Sequence, residues 1–292
     1  MDFPVFGIIK NTAQRFHRDK CGNFAIIISY FALMCSIPLT ALFAYATTKI
    51  LGNSELAVRS LDIFSEEFFA QLDPYFFERV QELSQNITNL GWFGLAGSLI
   101  AASFLFSNLI YSINFIFRAE YQKSFFYNRL MEYLIMFVIG VIMLISLSIT
   151  AIWTALNRTL QESPFVANNI NPEIVALINN FFVQYLLPFT LTFLVFFSLY
   201  KFIPEIKVHT KSAAIAAAIA ALLIELFKRI FAFYVAHFSA IGIVLDRLMQ
   251  GTLTSIIFFL LWLTFSMVIL LWGAELAAVL NERISIKRES HA

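Results

Sequence analysis

Three ionisable residues, Glu225, Lys228 and Arg229, interrupt the otherwise apolar segment Ser212–His237. On a helix, Lys228 follows the glutamate by three residues and Arg229 by four, so both basic groups can reach its carboxylate. Charge within an apolar span is costly, and it marks either a functional site or a pair that faces the bundle interior. One carboxylate and two cations leave a net positive charge, which suits an anion such as a phosphate headgroup. The alternative is a structural ion pair, or basic ends that snorkel to the outer surface.

The composition is that of a protein that crosses a membrane several times. Of the 292 residues, 60% are hydrophobic and 13% are charged, whereas soluble domains carry about 25% charged residues. The mean hydropathy is +0.77. Because the net charge is only +1 and no basic face is clustered, we expect no nucleic-acid partner. The two cysteines, Cys21 and Cys35, do not indicate a disulfide framework.

Six apolar runs are long enough to cross a bilayer, which predicts an all-α polytopic membrane protein forming a single domain, 1–292. The predicted spans are Phe24–Thr47, Trp92–Phe115, Tyr133–Leu156, Phe181–Ile203, Ser212–His237 and Gly251–Leu280. Six spans place both termini on one side of the membrane. When Lys201 at the end of the fourth span is included, 13 lysines and arginines fall on that side and 5 on the other, so both termini are predicted to be cytoplasmic. Residues 281–292 are then a cytoplasmic tail.

Two segments outside the spans have helical periodicity. Residues 51–91 predict a pair of extracytoplasmic amphipathic helices, the second of which begins after a cap and first-turn proline at Asp73–Pro74. Residues 1–23 form the other segment, a predicted cytoplasmic amphipathic helix at the membrane interface. Its apolar stripe consists of Phe6, Ile9, Ala13 and Phe16.

The fifth span repeats small residues at four-residue intervals, a pattern that lets helices approach closely in lipid. These residues are Ser212, Ala213, Ala216, Ala217, Ala220 and Ala221. The second span is predicted to supply the partner surface, since it carries Gly94, Gly97, Ser98, Ala101 and Ala102.

Depth within the predicted spans indicates where a cavity lies. At 1.5 Å per residue, Glu225 is roughly 20 Å from the cytoplasmic end of its helix, and thus about 10 Å from the outer surface of a ~30 Å core. Pro38 and Pro188 come out at a similar depth, and prolines kink membrane helices. These features predict a cavity that opens towards the outer leaflet.

Glu275 and Asn108 are secondary candidates for the functional site. Glu275 lies near the cytoplasmic end of the sixth span, either hydrogen-bonded to a neighbouring helix end or acting as a functional acid. Asn108 lies beside a polar stripe on the second span, and a polar stripe in a membrane helix must meet protein or water. The stripe, formed by Ser103, Ser107, Tyr111 and Asn114, predicts either interhelical hydrogen bonds or substrate contact.

Four stretches in the last third of the chain carry a family resemblance. They are YKFIP at Tyr200–Pro204, ELFKRIFAFYV at Glu225–Val235, GTLTSIIFFLLWL at Gly251–Leu263 and LLWGAELAAVL at Leu270–Leu280. These stretches resemble the YihY/BrkB family of bacterial inner-membrane proteins, and Tyr30–Phe43 is similar to that family's first span. The resemblance implies a multi-pass inner-membrane location, six helices with an outer helical pair, and recurrent positions for Glu225 and Glu275. It supplies no mechanism.

Residues for catalysis are not clustered in the sequence. The four histidines, His17, His209, His237 and His291, are far apart, and none belongs to a paired metal-binding motif. We therefore expect no enzymatic activity, no metal and no cofactor. The sequence predicts a protein that handles or transports an anionic lipid or amphipathic solute near Glu225 and Arg229, with membrane lipids as its partners. The alternative is a non-transporting membrane scaffold or assembly component that acts through protein partners.

Overall fold

The computed structural model of the protein describes residues 5–35, 92–119, 130, 133–135, 137–142, 186–238 and 252–289. Seven helices lie within these ranges: α1 Val5–Arg18, α2 Cys21–Cys35, α3 Trp92–Ile116, α4 Tyr133–Ile142, α5 Leu187–Phe202, α6 Thr210–Phe238 and α7 Thr252–Glu289. The described residues contain no strand, so the all-α prediction is confirmed. Helices α2 to α7 fall in order on the six predicted spans, and α1 falls on the predicted N-terminal helix. The predicted helical pair at 51–91 lies outside the described residues, and the six-span topology stays a prediction.

Helix α7 is longer than the span predicted for it. Its 38 residues extend for roughly 57 Å, whereas a bilayer core is about 30 Å thick. Among the described residues, its stretch Ile256–Ile286 is the one that is long and apolar enough to cross a membrane. Residues 281–289, predicted as a tail, continue the helix, because they contain no glycine or proline that would end it.

The alanines of α6 form its closest contacts with neighbouring helices. Ala213, Ala216, Ala217 and Ala220 are completely buried, and α6 packs against α5 and α7. The prediction that this stripe packs closely is therefore confirmed. The prediction that α3 supplies the surface packed against these alanines was wrong at Gly97. This residue is exposed and has nothing within 4 Å of the position of a Cβ.

Gly273 of α7 lies where α5, α6 and α7 meet. A Cβ at this residue would lie 2.8 Å from the Cβ of Ala220 and would overlap the hydroxyl of Tyr200. Tyr200 is itself fully buried, and its hydroxyl donates a 2.7 Å hydrogen bond to the backbone carbonyl of Leu270. The three helices can approach this closely only because residue 273 has no side chain.

Two asparagines hold the loop between α5 and α6. The side-chain oxygen of Asn114 on α3 accepts a 2.9 Å hydrogen bond from the backbone N–H of Glu205. Asn281 on α7 accepts one of 2.8 Å from the N–H of His209 and donates one of 3.3 Å to the carbonyl of Lys207. Because these backbone groups have partners on two other helices, the start of α6 is fixed relative to α3 and α7.

Helix α2 joins the bundle through aromatic and hydroxyl contacts. The ring of Phe24 lies 6.0 Å from that of Tyr111 and 5.4 Å from that of Phe115, both on α3. Towards α7, the hydroxyl oxygens of Ser29 and Thr264 are 3.0 Å apart. Aromatic pairs at these distances favour packing beyond their buried area, so α2 has specific contacts on two sides.

Helix α1 packs against α7 and reaches its C-terminal extension at Glu282. Thr12 is completely buried and Ile8 contacts the core, whereas Ile9 and Ala13 of the predicted apolar stripe are exposed. The helix thus turns the face beside the predicted stripe towards the protein and leaves part of the stripe on the surface. An exposed apolar flank on an amphipathic helix is suited to a membrane interface.

Candidate functional site

Glu225 and Lys228 form the predicted ion pair on α6. The Nζ atom of Lys228 donates a 2.9 Å hydrogen bond to Oε1 of Glu225. The side chains are 22% and 19% exposed, respectively. The pair is therefore partly exposed, neither sealed in the core nor fully on the surface. Arg229 is exposed on the adjacent surface.

An exposed apolar face of α6 adjoins these charges. Leu222, Leu226 and Ile230 recur at four-residue intervals and are 63%, 53% and 57% exposed. Residues four apart lie on the same side of a helix, so this face is continuous for two turns. It places aliphatic surface directly beside a cationic group, the combination that an amphipathic anion requires.

Aromatic side chains fix the level of the ion pair against α7. The ring of Phe227 lies 5.5 Å from that of Phe231 on α6 and 5.6 Å from that of Phe265 on α7. Such tilted pairs are typical of well-packed aromatic contacts. The turn of α6 that carries Glu225 and Lys228 is thus held by its neighbour rather than being free to rotate.

The secondary candidates on α3 and α5 have ordinary structural roles in the described residues. Asn108 donates a 2.8 Å hydrogen bond to the carbonyl of Phe104 in its own helix. In the polar stripe, Asn114 bonds to another segment, since its side-chain oxygen accepts a hydrogen bond from the backbone N–H of Glu205. Pro188 lies in the first turn of α5, where the missing N–H costs little because the first N–H groups of a helix have no partner within the helix. Pro38 lies outside the described residues, so the predicted pair of kinks stays a prediction.

Glu275 is completely buried at the junction of α7 with the turn between α1 and α2. Its Oε1 accepts a hydrogen bond from the thiol of Cys21, with the sulfur 3.6 Å away. Its Oε2 has no hydrogen-bond partner among the described residues. Burial raises the pKa of the Cys21 thiol, so this side chain stays neutral and acts as a donor. The sequence left open a carboxylate hydrogen-bonded to a neighbouring helix end or a functional acid. Cys21, at the start of α2, supplies such a bond, and a role as a functional acid stays a prediction.

A network of ion pairs lies near this buried carboxyl group, between α1, the end of α3 and α7. Arg15 binds both carboxylate oxygens of Glu282 on α7, at 2.6 and 2.5 Å. Asp19 accepts hydrogen bonds from Arg118 at 2.6 Å and Arg18 at 3.2 Å. Burial acts to raise the pKa of Asp19, but the bonds from the two guanidinium groups outweigh it and hold that pKa below its ordinary value. The hydrogen bond to Glu282 raises the pKa of Arg15.

Arg118 occupies an unusual backbone position at the end of α3. Its φ is +54°, in the left-handed region that glycine prefers. The N–H of Ala119 bonds to the carbonyl of Asn114 at 3.0 Å, and that of Arg118 to the carbonyl of Phe115 at 3.1 Å. This is a Schellman cap with arginine where glycine is usual. The cap directs the chain so that the guanidinium group reaches Asp19. The sequence did not reveal this role, because Arg118 entered only the count of basic residues that predicts orientation in the membrane.

The described residues contain no group of three or more histidine, cysteine, aspartate or glutamate side chains placed to hold a metal ion. The absence of a metal, a cofactor and enzymatic activity stays a prediction. The chemistry that the described arrangement supports is ionic and hydrogen-bond recognition, at the Glu225–Lys228 pair and around Glu275.

In the part of the chain that the structure describes, the regular structure is all helical, and one helix is long and apolar enough to cross a bilayer. The family described as Virulence factor BrkB matches residues 12–292, and the chain belongs to that family. A UPF0761 membrane protein of Vibrio campbellii is 26% identical over 270 residues, which cover 92% of this chain and 81% of the relative. One of Coxiella burnetii is 26% identical over 267 residues, covering 91% and 90%. No solved structure matches the chain significantly.

These comparisons confirm the family resemblance that the sequence motifs indicated. They also make the protein an integral membrane protein, as its composition predicted. The inner-membrane location, the multi-pass topology and the cytoplasmic termini stay predictions.

Proposed function

We propose that the protein binds an anionic lipid or another amphipathic anion at Lys228 and Arg229, and transports it through a cavity near Glu225. The observation that carries this proposal is the partly exposed ion pair, 2.9 Å long, beside the exposed apolar face of α6. A headgroup would meet the two basic side chains, and its acyl chain would lie along Leu222, Leu226 and Ile230.

Charge explains why the ligand is an anion. Of the three ionisable residues on this turn of α6, two are basic and one is acidic, so their formal charges sum to +1 and favour an anion. Arginine adds geometry, because its planar guanidinium group can give two parallel hydrogen bonds to a phosphate.

Native mass spectrometry in a mild detergent tests the binding step. We expect anionic phospholipid to remain bound to the wild-type protein and to be lost from the double variant Lys228→Ala/Arg229→Ala. Lys207→Ala/Lys211→Ala is the matched control, since it removes two exposed basic residues near the start of α6, and it should keep the lipid. Glu225→Gln should raise the bound fraction, because it removes the competing carboxylate.

Identical spectra from two well-folded proteins would overturn the anion site and make the charges structural. That result would favour the alternative function, a membrane scaffold or assembly component acting through protein partners. Loss of lipid from the control variant to the same extent as from the Lys228/Arg229 variant would also count against a specific site. If binding is confirmed, a lipid-movement assay in vesicles with the same variants tests transport itself.

A further inference from the structure

Glu275 is an uncompensated carboxyl group in the interior of the protein. It is 0% exposed, its Oε1 receives only the weak thiol donor of Cys21, and its Oε2 has no partner among the described residues. Transfer of an isolated carboxylate ion into such a site is prohibitively costly, and a group in this position takes up a proton instead. The contacts of the neighbouring side chains decide whether a nearby cation could replace that proton.

The cations closest to Glu275 are already committed to other carboxylates. From α1, Arg15 gives both NH1 and NH2 to Glu282. From the end of α3, Arg118 bonds to Asp19, which also accepts from Arg18. Asp19 thus adds negative charge near Glu275 and does not offset the charge of an ionised Glu275, because its own counterions hold Asp19 in the ionised form.

Within the described residues, the remaining elements that pack on α7 contribute no compensating charge at this level. Helix α5 presents Tyr200, whose hydroxyl donates to the carbonyl of Leu270. Helix α6 presents its buried alanines, including Ala216 and Ala217. Helix α2 presents Cys21 itself. The described groups that face Glu275 are therefore the neutral thiol of Cys21 and the carboxylate of Asp19, and neither supplies a positive charge.

We propose that Glu275 is a proton-binding site, which carries a proton in this conformation and releases it when the turn between α1 and α2 separates from α7. A metal cation fits less well, because hard cations need several oxygen ligands. Here a cation would find one carboxylate oxygen without a hydrogen bond, Oε2 of Glu275, because both oxygens of Asp19 already accept hydrogen bonds from guanidinium groups. The proposal goes beyond the anion site on α6 and does not depend on it.

The site links protonation to the position of the N-terminal helix. With the proton bound, Glu275 is neutral and the thiol of Cys21 can pack against it. Once the proton leaves, a negative charge lies in a dry contact beside the carboxylate of Asp19, and water must enter to solvate it. The α1–α2 turn is the element that moves, since Asp19 and Cys21 cover this side of Glu275.

Infrared spectroscopy tests the proposal through the carbonyl-stretch band of a protonated carboxyl group. At neutral pH we expect this band in the wild-type protein, its loss in Glu275→Gln, and its retention in Glu205→Gln, where the removed carboxyl group lies on the loop between α5 and α6. The absence of the band from the wild-type protein, or its persistence in a folded Glu275→Gln variant, would overturn the proposal. If Glu275→Gln does not fold, isotope-labelled glutamate in the wild-type protein must shift the band.

A second measurement follows the opening of the site. Cys21 and Cys35 are both buried on α2 and neither forms a disulfide, so their labelling by a maleimide can be compared within one sample by peptide mass spectrometry. We expect the ratio of Cys21 to Cys35 labelling to rise with pH in the wild-type protein, by at most about tenfold per pH unit for one proton. It should stay constant in Glu275→Gln. A pH-independent ratio in the wild-type protein would contradict the link between protonation and opening.

Discussion

The hydroxyl of Tyr200 on α5 bonds to the carbonyl of Leu270 on α7, and the same hydroxyl occupies the space that a side chain at residue 273 would need. One buried polar contact and one glycine thus depend on each other. The tyrosine ring reaches across to α7 because Gly273 leaves room for it, and the hydrogen bond satisfies its buried hydroxyl. This junction holds α5, α6 and α7 together below the level of the Glu225–Lys228 pair.

Gly273→Ala should destabilise the protein by about 1–3 kcal/mol, because a new Cβ would overlap both Tyr200 and Ala220. Thermal unfolding in detergent measures the change. Gly97→Ala on α3 is the matched control, since nothing lies within 4 Å of its added methyl group. That substitution should be neutral, or stabilising by up to ~1 kcal/mol, as expected when alanine replaces a helical glycine. Equal destabilisation by the two substitutions would contradict the packing argument.

Tyr200→Phe should lower the free energy of unfolding by about 0.5–1.5 kcal/mol, the usual net contribution of one hydrogen bond. The phenyl ring keeps the packing of the buried side chain, so the loss isolates the bond to Leu270. Tyr30→Phe is the control, because Tyr30 is 53% exposed and its change should fall within about 0.5 kcal/mol. An unchanged melting temperature for Tyr200→Phe would show that the bond adds nothing.

Two substitutions of Arg118 distinguish the effect of its charge on stability from the effect of its left-handed backbone conformation. Arg118→Ala removes the bond to Asp19 and keeps a side chain in the left-handed conformation, whereas Arg118→Gly removes the bond but relieves the backbone. The glycine variant should therefore be more stable than the alanine variant by about 1 kcal/mol. Chemical denaturation of both variants measures the difference, and an alanine variant at least as stable as the glycine variant would contradict the assigned cap.

Acid should weaken the contact between the α1–α2 turn and α3. The pKa of Asp19 is lower in the folded protein than its ordinary value of 3.8. A depressed pKa contributes stability that is present above the unfolded value and is lost as the pH falls through the folded one. The melting temperature should therefore decline below about pH 4, and Asp19→Asn should show a shallower decline. A decline of the same steepness in Asp19→Asn would assign the acid sensitivity to other carboxylates.

Local patterns in the sequence were sufficient for the helices and for one ion pair. The predicted bounds of α3 and α6 agree with the structure to within two residues, because uninterrupted apolar runs define both helices. Lys228 reaches Glu225 because residues three apart are neighbours on any helix. Nothing beyond helical periodicity was needed for these predictions.

Contacts between residues distant in sequence could not be predicted in this way. Asp19 and Arg118 are 99 positions apart, and Cys21 and Glu275 are 254 apart. Their meeting depends on how α1, α2, α3 and α7 pack, which no local spacing encodes. A glutamate near the end of an apolar run was the available signal for Glu275, and it did not identify the buried thiol opposite. The partner of the α6 alanines was mispredicted for the same reason.

Helix α7 is unbroken, so contacts far apart along it are connected by one continuous helix. It carries Glu282, which Arg15 of α1 binds, and Phe265, which packs against Phe227 of α6. These two residues are roughly 26 Å apart at 1.5 Å per residue. A tilt of about 10° pivoting at the end of α7 that carries Glu282 would swing the far end of its ~57 Å length by roughly 10 Å. Helix α7 therefore connects the contact with the N-terminal helix to the turn of α6 that bears Lys228.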